Sequence, residues 1–147
     1  MAVLSGGARL EEELAKMADL VDNPGTLRVG FLEGATYPDG TSVALVAATQ
    51  NFGSRSIPPR PFFSNMISKR SSGWAGKLAN LLRLNSYDAR KSLELMGLGI
   101  VGQIQEEIRV TNSPPLSPAT VAAKGFDKAL IDTSHMWNSV DSEVTGV

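Results

Sequence analysis

The sequence predicts an α+β fold, a single domain in which a small antiparallel β-sheet packs against two longer α-helices. Three observations carry that prediction. Residues 87–109 hold a continuous apolar stripe at helical spacing: Leu93, Gly97, Ile100, Val101, Ile104 and Ile108. Thr26 to Leu32 alternates instead, with Leu27, Val29 and Phe31 on one side of a strand. Val140, Ser142 and Val144 alternate again at the far end of the chain. With 147 residues, 42% of them hydrophobic, the chain has the usual size of one domain and enough apolar mass for a core.

Taken in order, residues 7–21 read as an amphipathic helix, with Leu10, Leu14, Met17 and Val21 on one face. Glu11, Glu12 and Glu13 are expected in its first turns, where the helix dipole favours negative charge. Asn23-Pro24-Gly25 stops it before the first strand. Residues 33–41, with Pro38-Asp39-Gly40, form an exposed loop. Ser42 then caps a short helix to about Gln50 with Val43, Val46 and Ala47 inward, although its valines leave a strand open. Asn51-Phe52-Gly53 reads as a polar link into an exposed arm at 53–61. Three prolines in four residues forbid a helix until Pro61, which suits a first helical position. Trp74, Leu78, Leu81 and Leu82 mark the next helical face, with a break at Ser71-Ser72-Gly73.

In the long helix, Gly97, Gly99 and Gly102 each cost about 1 kcal/mol against alanine. Their presence predicts a close backbone approach or a bend. Beyond it, Thr111 to Pro115 is a loop, and Ser117-Pro118 opens a small helix over 118–124 that Gly125 stops. A helical turn after Asp132 precedes the final strand.

Composition narrows the function classes. The absence of cysteine removes disulfides and thiolate metal sites. The apolar runs are far shorter than the ~20 residues of a membrane span, and no signal peptide is readable. The net charge of −1 conceals three blocks. Residues 1–52 carry three basic groups against seven acidic ones, and residues 93–147 carry the same balance, so each is −4. Residues 53–92 carry Arg55, Arg60, Lys69, Arg70, Lys77, Arg83, Arg90 and Lys91 against Asp88 alone, giving +7. This block is solvated surface, a dock for an acidic protein face, or a stretch close to DNA. An acidic flank of one copy could also meet the basic centre of the next, head to tail.

Catalytic chemistry finds little support. Asp132, Ser134 and His135 are neighbours in sequence, whereas nucleophile, base and orienting acid are ordinarily assembled from distant segments. A turn cap at Asp132 or Thr133 beside a surface histidine is the plainer reading. One histidine leaves only carboxylates for a metal, and Glu11-Glu12-Glu13 and Glu106-Glu107 splay around their helices. No phosphate loop or dinucleotide fingerprint is present, so no cofactor is expected. No recognition helix, zinc finger or aromatic stacking platform supports specific DNA reading.

The proline-aromatic segment says most. Pro58, Pro59, Arg60 and Pro61 stiffen the approach to Phe62 and Phe63, which lowers the entropy lost on docking a partner. The same two rings could anchor the following helix into the chain's own core. Both readings hold if one ring points each way.

Two blocks of residues resemble a known family. The first runs Val43-Ala44-Leu45-Val46-Ala47-Ala48, Asn51-Phe52-Gly53 and Ile57-Pro58-Pro59-Arg60-Pro61-Phe62-Phe63. The second runs Pro114-Pro115-Leu116-Ser117-Pro118-Ala119-Thr120, Lys124-Gly125 and Leu130-Ile131-Asp132-Thr133-Ser134-His135-Met136-Trp137-Asn138-Ser139-Val140. Together they resemble the tail-completion, or neck, proteins of tailed double-stranded DNA phages, also called virion morphogenesis or minor tail component proteins. The resemblance covers about residues 42–144. Two positions depart from it: Asn51 stands where an acidic residue commonly precedes Phe-Gly, and Ser134 where glycine commonly follows Thr133.

The resemblance implies a non-enzymatic virion subunit, assembled in the bacterial host cytoplasm and placed at the head–tail junction. It implies a ring of about six or twelve copies. The implied partners are a head-closure or portal-side connector and a tail-terminator or tail-tube protein, with phage DNA passing through the lumen without sequence-specific contact. Pro58 to Phe63 become candidate partner contacts, and the eight basic residues become contacts to the lumen or to an acidic neighbour. A tail-terminator or other minor tail subunit is the nearest alternative. A small DNA-binding protein using residues 53–92 is the alternative of another class.

Overall fold

The computed structural model describes residues 6–111 and 135–146. Its elements run α1 (Gly7–Val21), β1 (Thr26–Phe31), α2 (Val43–Phe52), α3 (Phe62–Arg70), a 3-10 turn at Ser71–Gly73, α4 (Trp74–Leu84), α5 (Ala89–Val110), α6 (His135–Asn138) and β2 (Val140–Thr145). The architecture is α+β with a two-stranded antiparallel sheet. The helix expected at 118–124, the chain around Pro114–Pro118 and the Asp132–Ser134 turn lie outside the described residues.

The two strands pair from Thr26 opposite Thr145 to Phe31 opposite Val140. A two-stranded ribbon is marginal alone and needs a surface to lie on. Here α5 provides it. Leu27, Val29 and Phe31 pack with Val140 onto a core built from Met96, Ile100, Ile104 and Ile108 of α5, Phe62 and Met66 of α3, Val43 and Ala47 of α2, and Met136. Trp74, Leu78 and Leu81 bring α4 onto α5, and the Trp74 indole N–H donates to Gln103 at 2.8 Å. Among the described residues no helix is long and apolar enough to cross a membrane.

Local chemistry sets the ends of these elements. The Ser42 hydroxyl accepts from the Leu45 N–H at 3.3 Å and starts α2. Asp88 does the same for α5, accepting from the Lys91 N–H at 3.1 Å. In the 33–41 loop the Asp39 carboxylate accepts from the Thr41 N–H at 2.9 Å, which holds its pKa below the ordinary value.

Two expectations are corrected. Glu11, Glu12 and Glu13 lie past the first turn of α1, where the dipole effect has faded. Glu12 and Glu13 instead pair with Lys16 at 3.2 and 3.3 Å. The three glycines of α5 also do not act alike. A Cβ on Gly97 would stand 2.7 Å from Ser142 Oγ and 2.9 Å from Leu27 Cδ1, so the sheet rests directly on that position. At Gly99 a Cβ would meet only the mobile end of Lys77, and at Gly102 nothing within 4 Å. Gly97→Ala is therefore expected to cost about 1–3 kcal/mol by overpacking. Gly102→Ala should instead stabilise by up to about 1 kcal/mol through helix propensity. Urea midpoints of the two variants moving in the same direction would contradict this assignment.

Candidate functional site

The site is built where α2, the proline segment and α3 meet. Gly53 ends α2 with φ of 77°, its N–H donating to the Thr49 carbonyl at 2.8 Å. A Cβ there would stand 2.9 Å from both the Ile57 oxygen and the Pro59 nitrogen. The chain can turn back this tightly only at glycine. Ser54 N–H then donates to the Ile57 carbonyl at 2.8 Å, and Arg60 N–H to the Gln50 carbonyl at 2.7 Å. Residues 53–61 are thus a closed loop folded onto the end of α2. Ser54, Arg55, Ser56, Pro58 and Pro59 are exposed, as expected of this segment, while Arg60 is buried.

Asn51 is the pin of this arrangement. Its sequence context reads as a polar link, yet it is buried in the last turn of α2. Its side-chain oxygen accepts from the N–H groups of Phe63 and Ser64, both at 3.0 Å, and its amide donates to Ser64 Oγ at 2.9 Å. Pro61 precedes α3 and makes no side-chain cap, so Asn51 caps α3 from another helix. An acidic side chain at this position would offer the same kind of acceptor oxygen to the two N–H groups.

The two phenylalanines divide. Phe62 is fully buried, edge-on to Phe31 at 6.1 Å between centroids and to Phe63 at 6.3 Å. It is a core anchor and not a partner contact. Phe63 is half-buried and borders an open apolar pocket of about 350 Å³. Val29, Gly30 and Phe31 of β1 form one wall, and Ala44, Ala48 and Phe52 of α2 form another.

Along the rim, Phe52 is 76% exposed and Leu45 is 62% exposed. Leu45, Ala48 and Phe52 follow one another at helical spacing on the outer face of α2, opposite the buried Val43 and Ala47. This helix is apolar on both faces. A helix of that kind normally has both faces covered.

The basic block does not form one surface. Arg60 is buried, so it faces neither a lumen nor a partner. Lys69 pairs with Glu107 at 2.7 Å, and that carboxylate is itself buried. Arg90 donates to the carbonyls of Val144 and Gly146 at 3.3 and 3.4 Å and pairs with Glu94 at 3.5 Å. Arg83 donates to Asn80 at 3.0 Å, and the Lys77 ammonium lies beside Gly99. Arg55, Arg70 and Lys91 are exposed. Part of the acidic 93–147 segment is thus answered within the chain. The Glu106 carboxyl is held below its ordinary pKa mainly by its hydrogen bond from Arg109.

His135 lies at the start of α6, its Nε2–H donating to the Thr36 carbonyl at 2.7 Å and its ring 4.8 Å from Tyr37. This ties α6 to the 33–41 loop. Asp132 and Ser134 lie outside the described residues.

No protein-family profile, curated protein or solved structure matches the chain. What it does is therefore argued from its own surface. Sequence reasoning missed the structural role of Asn51 and the outer stripe of α2. The stripe had a visible signal, since Val43 to Ala48 is apolar without interruption and cannot all point inward on one helix.

Proposed function

We propose that the chain is a non-enzymatic structural subunit of a tailed-phage virion, forming a ring that joins the DNA-filled head to the tail. The observation that carries this reading is the apolar surface left uncovered among the described residues. Helix α1 buries none of its residues, and Leu10 and Leu14 on its stripe are 60% and 55% exposed. Scattered exposed apolar residues are ordinary. Contiguous ones, such as the α1 stripe and the α2 face beside its pocket, mark contact with another protein.

The order of the two motif blocks supports placing that assembly at a phage neck. In such a ring each copy contacts its neighbours, a head-closure or portal-side connector and a tail-terminator or tail-tube protein. Phage DNA passes through the lumen. Arg55, Arg70, Lys77, Arg83 and Lys91 are exposed, and this reading assigns them to a lumen or an acidic neighbour. A tail-terminator role belongs to the same class and needs the same surfaces. A DNA-binding role draws less support, because Lys69 and Arg90 engage internal partners and Arg60 is buried.

The test is genetic. In the virus that carries the gene, its deletion should leave filled heads and finished tails unjoined in electron micrographs of lysates. Complementation with Phe63→Ala should supply soluble subunit yet lower infectious particles by roughly 10-fold, as truncation of an interface aromatic does. Normal particles from the deletion would remove the proposal.

A further inference from the structure

Two apolar surfaces have no cover among the described residues. One is the α1 stripe of Leu10, Leu14, Met17 and Val21, all exposed on a helix whose main contact within the chain is with α5. The other is the outer face of α2, Leu45, Ala48 and Phe52, with the pocket before Phe63 beside it.

We propose that α1 of one copy packs along the outer face of α2 of the next copy, closing the pocket, so that copies join head to tail. The proposal rests on reading the chain as a self-assembling subunit, but not on its place in a virion.

The two surfaces match in length, shape and charge. Fifteen residues make α1 about 22 Å long, and ten make α2 about 15 Å, so one helix spans the other completely. The stripe of α1 repeats at four, three and four residues, and that of α2 at three and four. Such ridges interdigitate at an axial separation of about 8–10 Å. Ala44, Ala48 and Phe52 line the open apolar pocket beside this face, and its volume of about 350 Å³ leaves room for an apolar side chain of α1.

Gly7 to Asp22 carries Arg9 and Lys16 against Glu11, Glu12, Glu13, Asp19 and Asp22, a net of −3. Glu12 and Glu13 hold Lys16, and Glu11 and Asp22 flank the stripe on one side. Residues 42–63 carry Arg55 and Arg60 and no acidic residue, and Arg55 is exposed just beyond Phe52. Pairing α1 with α1 would set acid against acid, whereas α1 on α2 sets it against Arg55. A contact between two different surfaces repeats from copy to copy and closes as a ring or runs on as a filament.

The test uses the full chain and two exposed positions, Leu14→Glu on α1 and Phe52→Glu on α2. Leu10→Glu and Leu45→Glu serve as second variants of each face, and thermal melts by circular dichroism establish that each is folded. Mass in solution is read by light scattering. The wild type should be multimeric, and each variant alone should be monomeric, with self-association weakened about 100-fold or more. Equal mixing of Leu14→Glu with Phe52→Glu should restore a dimer and nothing larger, because one intact helix and one intact face survive in the mixture.

A mixture that stays monomeric overturns the head-to-tail pairing. Folded variants that keep the wild-type mass also overturn it, while leaving the assembly reading in place. A monomeric wild type removes both.

Discussion

Replacing Phe62 with alanine is expected to destabilise the folded chain by about 3–5 kcal/mol, the cost of truncating a fully buried phenylalanine. The ring sits where three elements converge. It is edge-on to Phe31 of β1 and to its neighbour Phe63, and it packs in one cluster with Val43, Met66 and Ile104. Relaxation cannot easily fill the hole, because Pro61 restrains the backbone on one side and the α3 cap fixes it on the other. For a chain of this size the melting temperature should fall by about 10–20 °C. Phe63→Ala, at a half-buried ring, should cost clearly less. If thermal melts placed both variants together, the division of the pair into core anchor and surface ring would be wrong.

Removing the Asn51 side chain should give the second large loss, about 2 kcal/mol for Asn51→Ala. The N–H groups of Phe63 and Ser64 would lose their acceptor at the start of α3, and Ser64 would lose its donor. Asn51→Asp separates the acceptor role from the rest. An aspartate oxygen can take the same two N–H groups, the Ser64 hydroxyl can donate to the other oxygen, and the helix N-terminus favours the negative charge. Burial opposes that gain. The expected outcome is stability within about 1 kcal/mol of the wild type. Urea unfolding that found Asn51→Asp as damaging as Asn51→Ala would show that the cap is not what Asn51 provides.

The features legible in the sequence were those written in local patterns. The stripe of α5, the alternation of β1 and β2, the stop at Asn23-Pro24-Gly25 and the Ser42 cap all follow from periods and turn chemistry within a few residues. The pairing of β1 with β2 joins opposite ends of the described chain, and only the shared apolar faces hinted at it.

What was not legible depends on partners distant in sequence. Asn51 reads as a loop residue because the N–H groups it caps lie twelve and thirteen residues further on. Arg60 and Lys69 counted as surface charge because nothing local shows that one is buried and the other meets Glu107, thirty-eight residues away. Gly97 could be distinguished from Gly102 only once the sheet was known to lie on one side of α5. For the candidate surface, Phe62 and Phe63 of the Pro58-to-Phe63 segment border the open apolar pocket. The faces left open there belong to Phe52 and Leu45 as much as to Phe63.

The central claim is that this chain completes its apolar faces against other polypeptides. Negative-stain electron microscopy of the purified protein, alone and mixed with tails of the phage that the proposed function implies, tests it most directly. The account predicts closed rings with an open centre, and the same rings capping the ends of tails. A uniform field of monomers at high concentration, with bare tail ends in the mixture, would contradict it.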